Sequence, residues 1–338
     1  MRLLVTIPFC LLMFSAKCQS STYEPNKLVI SKYFGKYAAK GMVVQVASND
    51  KSLVLIVPGA PFQEMIHIGL NKFKTVTFGD EVFIFIEKNG KIEQMISQRS
   101  GRSLKLKKIS NIPDKFNQGD SLLVLKKTTD HFHFLYSKID SIDIDHLAKR
   151  LEGNYRKILD DFKIERMPIT IVRIYPDLTS FHQGINFPNA PESVLATAFG
   201  KNDFRMVSPN NAGPDSLMLI KGVAHEFIHC VHLNIDYSPN NPRWLWEGVA
   251  MFEADWFFDP KEMDLIKNKH FPRLNALNNG MEYMLGFVII EAIKDIWGFD
   301  TVINLIKKRG DTQAVLKLSE KQFEEKIFEH IYKKYIED

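Results

Sequence analysis

The sequence predicts an α+β protein in which a β-rich N-terminal part precedes a larger part that mixes strands with long helices. Short runs of β-branched and aromatic residues, separated by turn residues, occupy positions 26–110. From residue 144 onward, apolar residues recur at the three- and four-residue spacing of amphipathic helices. A chain of 338 residues is long enough for two domains, and its net charge of +4 gives no reason to expect a nucleic-acid partner.

The first 18 residues have the composition of an export signal. A basic residue, Arg2, precedes a nearly uninterrupted apolar run over 3–14, which is too short to cross a membrane. Small residues follow, and we expect cleavage after Cys18; a lipid anchor on Cys18 is the less favoured alternative, because Lys17 fits that signal poorly. We therefore expect an exported protein, periplasmic or extracellular, with no membrane span and with Cys230 as its only remaining cysteine.

Residues 19–110 are expected to form a β-rich accessory domain. Strands are predicted near residues 42–46, 52–57 and 82–86, each bounded by turn residues. The pair Asn89-Gly90 predicts a tight hairpin directly after the last of these strands. This part contains no constellation of residues that indicates catalysis.

The order of these β features resembles that of a known module. With Tyr33-Phe34-Gly35-Lys36-Tyr37 at the start and residues 94–101 at the end, it resembles the small lipocalin-like β domain appended to secreted β-lactamase-like proteins. The resemblance implies a small antiparallel, barrel-like domain, for which we expect a packing or spacer role. A polar stretch that contains proline and glycine, residues 111–122, is the expected linker.

The second part, residues 123–338, begins with strands and an amphipathic helix. The helix is predicted over Ile144 to Phe162 from its apolar spacing, and a β-branched strand follows over Ile169 to Tyr175. Residues 195–207 then predict a hairpin that turns between Gly200 and Asp203. The order of strand, helix, strand and hairpin predicts a mixed sheet with helices.

The motif that points to chemistry is His225-Glu226-Phe227-Ile228-His229, which reads H-E-x-x-H. It lies in an apolar stretch that predicts a buried helix over about 215–232, and two histidines four residues apart share one face of a helix. Both imidazoles can then reach one metal ion, and Glu226 can reach a water molecule bound to it. The alternative, two ordinary core histidines, would leave costly unpaired polar groups in an apolar helix.

A third ligand is predicted 18 residues further on. Glu247 lies in a second predicted helix over Arg243 to Phe257, and two histidine nitrogens with one carboxylate oxygen make a three-ligand zinc site with one position open. Glu253 and Asp255 are candidates for accepting a hydrogen bond from a ligand histidine. Three further helices are predicted, over 281–297, from Asp300 to Lys308, and after a capping box that begins at Ser319.

The sequences H-E-F-I-H and W-L-W-E-G-V-A resemble those of the gluzincin metallopeptidases, in particular the peptidase MA-like domains of secreted bacterial proteins. The resemblance covers roughly residues 120–338. It implies one zinc ion held by His225, His229 and Glu247, with Glu226 as the catalytic base. For the strand over Thr197-Ala198-Phe199 the resemblance implies a border of the substrate cleft, and an ordinary edge hairpin is the alternative. For Tyr283 it implies a hydrogen-bond donor to the oxyanion, and a buried core tyrosine is the alternative.

The function expected from these features is a secreted zinc peptidase that hydrolyses peptide bonds with a zinc-activated water and Glu226 as general base. Its partner would be a peptide or protein substrate. The alternative is a catalytically inactive or non-peptidase metal-containing binding protein of the cell envelope. The sequence leaves the substrate, the preference for internal or terminal bonds, and the oligomeric state open.

Overall fold

The computed structural model describes residues 30–48, 52–75, 81–99, 102–114, 120–213, 216–256, 259–277 and 280–337. The predicted export signal, residues 1–18, lies outside these ranges, as do residues 115–119 of the predicted linker. Within the described residues the protein is α+β. An antiparallel barrel comes first, and a separate mixed sheet with helices follows. No helix in the described part of the chain has the length and apolar character needed to span a bilayer.

The barrel consists of eight strands, each paired antiparallel with its neighbour, and the last strand pairs with the first. The strands are β1 (Gly35–Ala39), β2 (Met42–Ser48), β3 (Leu53–Ile56), β4 (Gln63–Gly69), β5 (Lys72–Thr75), β6 (Val82–Lys88), β7 (Lys91–Arg99) and β8 (Arg102–Ser110). Alternate residues of the strands, among them Tyr37 and Phe85, point inward. Together with Tyr33, which lies just before β1, they form a core that is rich in aromatic side chains. The predicted small barrel-like domain is thus present as a closed barrel.

The Asn89-Gly90 hairpin forms where the sequence predicts it, between β6 and β7. Both residues have positive φ angles, 51° and 75°, which is the backbone of a type I′ turn. Glycine adopts this conformation without strain, and asparagine tolerates it better than most residues. The local dipeptide therefore sets the turn that joins β6 to β7.

The second sheet has five strands in the order β12-β13-β11-β10-β9. Its strands are β9 (Leu125–Thr128), β10 (Phe132–Tyr136), β11 (Thr170–Tyr175), β12 (Ala196–Gly200) and β13 (Asp203–Val207). The three central strands are parallel, whereas β9 and β12 run antiparallel at the two edges. The predicted hairpin over 195–207 is the pair β12 and β13, so β12 is an edge strand.

Nine α-helices accompany this sheet in the described residues. They are α1 (Ile144–Asp161), α2 (Leu178–Gly184), α3 (Ser216–Ile235), α4 (Arg243–Glu253), α5 (Asp264–Lys267), α6 (Met281–Trp297), α7 (Phe299–Lys307), α8 (Thr312–Leu316) and α9 (Glu320–Tyr332). The long helices α1 and α3 pack together, and α3 also lies against β12 and β13. One apolar core joins the sheet to the helices.

Two helix ends differ from the sequence predictions. Helix α4 ends at Glu253 rather than at residue 257, and Asp255 beyond it has a positive φ of 51°, which cannot continue a helix. Helix α7 begins at Phe299 rather than at Asp300, so Asp300 lies within its first turn. The capping box at Ser319 is confirmed, since Ser319 accepts from the Gln322 backbone N–H and the Gln322 side chain accepts in return.

Helices α4 and α6 cross at two glycines, Gly248 and Gly286. A Cβ atom built on Gly248 would lie 2.5 Å from the carbonyl carbon of Gly286, and one built on Gly286 would lie 2.8 Å from the carbonyl oxygen of Trp244. The two backbones therefore touch directly, which only glycine permits. This crossing places the first turns of α4 and α6 side by side.

Candidate metal centre

Helix α3 brings the two histidines of the H-E-x-x-H motif together, as their spacing predicts. Because His225 and His229 are one turn apart, their rings are neighbours, with centroids 4.5 Å apart. The rings meet edge to face, at an interplanar angle of 84°. Both side chains are buried, with 7% and 4% of their surface exposed. The helix holds them there because Phe227, Ile228 and Val231 on its other faces are completely buried.

Helix α4 supplies the third member of the cluster. The Oε2 atom of Glu247 lies 3.3 Å from Nε2 of His225 and 3.4 Å from Nε2 of His229. The three candidate ligand atoms all lie within 4.8 Å of one another, and all three residues are buried. Among the residues that the structure describes, this is the one group of three or more His, Cys, Asp or Glu side chains that could hold a metal ion.

The spacing of the three atoms fits zinc. Zinc binds histidine nitrogen and carboxylate oxygen at about 2.0–2.2 Å, and the corners of a tetrahedron of that size lie roughly 3.4 Å apart. The two distances to Glu247 match this value. In addition, Oε2 of Glu247 is buried without a hydrogen-bond partner in the described structure, which is costly for a carboxylate unless a cation neutralises it. The cluster therefore suits a divalent cation.

The protonation of Glu247 and His229 favours a cation, whereas that of His225 does not. Burial tends to raise the pKa of Glu247, but the neighbouring His225 and His229 outweigh it, so that the pKa falls well below its usual range. Burial, together with the neighbouring His225, lowers the pKa of His229 to about 4. Burial alone would lower the pKa of His225, yet Glu247 and Glu226 raise it overall. An ionised carboxylate and a neutral imidazole are the forms that bind metals.

Glu226 lies beside the cluster without joining it. Its carboxylate accepts a hydrogen bond from the backbone N–H of Ala198 in β12, while Oε2 has no partner among the described residues. Burial and the charge of Glu247 raise the pKa of Glu226 to about 7, although His225 opposes the shift. A carboxylate with a pKa near neutral pH is suited to accept and return a proton.

A cleft of about 680 Å³ opens over the cluster. Its walls are mainly apolar, and the edge strand β12 borders one side. The lining residues include Val194, Leu195, Ala196, Met206, Met218, Leu219, Val223, Met251 and Trp256, together with His225 and Glu226. The cleft is large enough for several residues of a peptide, and such concave, mostly apolar sites are typical of ligand binding.

Helix α6 contributes polar residues to the same cleft. The ring of Tyr283 stacks on that of His225 at a centroid distance of 6.1 Å, and its hydroxyl oxygen accepts a hydrogen bond from Arg243. Burial, followed by the charge of Glu247, raises the pKa of Tyr283, so the phenol keeps its proton. Arg243 in turn pairs with Glu282.

His232 is a neighbour of the cluster that the sequence analysis did not single out. It is 2% exposed, and its ring lies 4.8 Å from that of Trp246, which also stacks on His229 at 4.1 Å. Burial lowers the pKa of His232 to about 3, so it stays neutral. Its position seven residues after His225, two turns along the same face, is the signal that would have found it.

Glu253 and Asp255 do not contact the ligand histidines. Asp255 pairs with Lys157 at 3.3 Å, and Glu253 lies with Asp161 and Lys157 in a separate cavity. The Nδ1 atoms of both ligand histidines have no hydrogen-bond partner among the described residues. The expectation that Glu253 or Asp255 fixes a ligand tautomer is therefore wrong.

Comparison with known proteins gave no relative: no family model matches the chain, and no curated protein matches its sequence. What the protein does is therefore inferred from the residues described above.

Proposed function

We propose that the chain is a zinc-dependent peptidase of the gluzincin type. The observation that carries the proposal is the convergence of His225, His229 and Glu247 at tetrahedral spacing, with Glu226 beside them at the floor of an apolar cleft. Neither a core histidine pair nor a surface ion pair requires that combination. The resemblance of the H-E-x-x-H and W-L-W-E-G-V-A stretches to gluzincins supports the same assignment.

The roles of the residues follow from their positions. His225, His229 and Glu247 would hold the ion, which supplies Lewis-acid activation of water and of a substrate carbonyl. Glu226 accepts the proton of the attacking water and passes it to the leaving amine, as its pKa of about 7 allows. Tyr283, whose ring stacks on that of His225, would donate a hydrogen bond to the oxygen that becomes negative.

The edge strand gives a reason to favour peptides over other esters and amides. Strand β12 pairs with β13 on one side only, and the backbone N–H of Ala198 points to Glu226. An extended peptide can pair with such an open edge through main-chain hydrogen bonds. Ala196 of β12 lines the cleft, so a peptide paired with this edge would pass close to Glu226.

The first experiment measures metal content in the purified full chain. We expect one zinc per chain in the wild type and none in His229→Ala, because two remaining ligands cannot hold the ion in the same way. His270→Ala changes an exposed histidine in another part of the chain and should keep its zinc. Absence of zinc from the wild type, even when zinc is supplied, would refute the proposal.

The second experiment separates chemistry from metal binding. Glu226→Gln keeps the shape of the side chain and all three ligands, so it should retain zinc. Its turnover on a peptide library should fall by a factor of about 10² or more, since the general base is lost. Unchanged turnover would refute the role of Glu226. A zinc-loaded wild type that cleaves no peptide would favour the metal-containing binding protein instead.

A further inference from the structure

One charged side chain in the cleft is exposed and is held in place by buried partners. Arg243 begins α4 and lines the cleft, and 53% of its side chain is exposed. Its Nη2 lies 2.9 Å from Oε1 of Glu282, a residue that is only 1% exposed. The guanidinium also donates to the hydroxyl oxygen of Tyr283. Two contacts from α6 thus fix the orientation of an otherwise flexible side chain.

The buried partner makes Arg243 the accessible charge of the pair. An ionised Glu282 at 1% exposure is tolerable because Arg243 neutralises it. Glu282 also lines the cleft, but its side chain is only 1% exposed against 53% for Arg243, so the guanidinium is the more accessible group of the pair. A guanidinium has five N–H donors, and the contacts to Glu282 and Tyr283 leave others available on its exposed side. The planar, forked arrangement of these N–H donors is suited to a carboxylate rather than to an amine.

The position of Arg243 places this charge close to the metal cluster. Arg243 is four residues before Glu247 on the same helix, so the two side chains lie on one face, about 6 Å apart at their Cβ atoms. The scissile bond of a substrate would lie at the cluster. A carboxylate held by Arg243 would then be separated from that bond by no more than about two residues, since each extended residue spans about 3.3 Å.

We propose that Arg243 binds a carboxylate of the substrate, which makes the cleft selective for peptides near a free C-terminus. This inference rests on the proposed peptidase function for its biological meaning. The apolar walls, with Val194, Leu195 and Met206 among them, suit an apolar side chain on the terminal residue. The substrate class is therefore a short or C-terminal peptide segment that ends in an apolar residue with a free carboxylate.

The test uses binding, measured by calorimetry on the zinc-loaded full chain that carries Glu226→Gln, so that no peptide is consumed. The probes are an acetylated tripeptide ending in leucine with a free carboxylate, the same tripeptide as its amide, and an amide that ends in glutamate. We expect the free acid to bind about tenfold more tightly than the leucine amide, because charge-assisted hydrogen bonds are lost in the amide. Tight binding of the glutamate amide would assign the site to acidic side chains as well as to the terminus.

Variants then assign the preference to Arg243. In Arg243→Gln the free acid and the amide should bind within about twofold of each other, and Arg243→Lys should retain part of the preference because it keeps the charge but loses the fork. Arg243→Lys also keeps a partner for buried Glu282, so it guards against unfolding of the glutamine variant. Arg156→Gln, which removes a 66% exposed charge on α1, is the matched control and should bind like the parent.

Two results would overturn the proposal. Equal binding of acid and amide to the parent chain would show that no carboxylate is recognised. A preference that survives in Arg243→Gln would assign the carboxylate to the ion instead. The outcome is separable from that of the proposed function, since an Arg243-dependent preference without hydrolysis by the wild type would retain this site and refute the peptidase. Hydrolysis by the wild type without any preference for the free acid would support the peptidase and refute the carboxylate site.

Discussion

The crossing of α4 and α6 gives the sharpest prediction about stability, because a single methyl group tests it. Gly248→Ala places a Cβ 2.5 Å from both the carbonyl carbon and the oxygen of Gly286, and 2.8 Å from its Cα. All three atoms belong to the backbone, so no side-chain rotation relieves the contact. The helices must move apart, and Glu247, the residue before Gly248, moves with α4.

The magnitude follows from the overlap. Carbon atoms in contact lie about 3.5–4.0 Å apart, so the methyl group overlaps by about 1 Å. Overpacking of this kind costs about 1–3 kcal/mol, whereas alanine gains about 1 kcal/mol over glycine in a helix. We expect a net destabilisation of about 0–2 kcal/mol, which corresponds to a decrease in Tm of at most about 8 °C.

The assay is thermal unfolding followed by circular dichroism, with a chelator present so that packing is measured without metal. Gly153→Ala is the matched control: Gly153 lies in α1, and no atom lies within 4 Å of its added Cβ. This control should stabilise the protein by about 0.5–1 kcal/mol, because only helix propensity changes. If Gly248→Ala is as stable as the control, the close crossing of α4 and α6 is refuted.

Three further predictions concern metal, pH and the barrel. Zinc at a hundredfold excess over its Kd should stabilise the wild type by about 2.7 kcal/mol and leave the melting of His229→Ala unchanged. Burial, followed by the charge of Asp161, raises the pKa of Glu253 to about 8. The folded protein therefore binds this proton more tightly than the unfolded chain does. The stability that Glu253 contributes is complete below its unfolded-state pKa of 4.5 and is lost as pH rises through about 8. Denaturant unfolding at pH 6 and pH 9 should show this loss, on the order of a few kcal/mol, in the wild type and not in Glu253→Gln. Phe85→Ala, in the barrel core, should cost about 3–5 kcal/mol, whereas Leu70→Ala, at an 86% exposed residue, should change stability by less than about 0.5 kcal/mol; equal effects would contradict the assigned barrel interior.

Local patterns in the sequence were enough to predict the elements that carry the cluster. The apolar stretch around His225 predicts α3, and the spacing of four places both histidines on one face. Glu247 is predicted as a candidate ligand because α4 has its own apolar periodicity and follows α3 after a short loop. The Asn89-Gly90 turn is similarly local, since two residues decide its backbone. Each of these predictions needs only the residues within one or two turns.

Helical geometry also explains why Glu253 does not contact the two histidines. Six residues along an α-helix rotate the side chain by about 240° relative to Glu247, which turns it away from the histidines. A residue seven positions on would return to the same face, but that position is Ala254. Helical periodicity therefore excludes Glu253 as a partner of His225 and His229. In the structure, Glu253 lies close to Asp161 of α1 instead.

The Arg243 pair could not be predicted in this way, because Glu282 is 39 residues further along the chain. Their contact depends on the crossing of α4 and α6, and that crossing depends on glycine in both helices at the point of contact. Glycine in a predicted helix gives no sign of which other helix will approach it. The sequence thus indicates the three candidate ligands but not the charged residue beside them.

The crossing also links the two proposed sites to each other. Gly248 directly follows Glu247 and lies five residues after Arg243, while Gly286 lies four residues after Glu282. A separation of the helices at the glycines therefore shifts Glu247 relative to the histidines and stretches the ion pair of Arg243 at the same time. We accordingly expect Gly248→Ala to weaken zinc binding and the preference for a free carboxylate together, whereas Arg243→Gln should remove the preference and leave the zinc in place. Loss of one property without the other in Gly248→Ala would mean that the two sites are positioned independently.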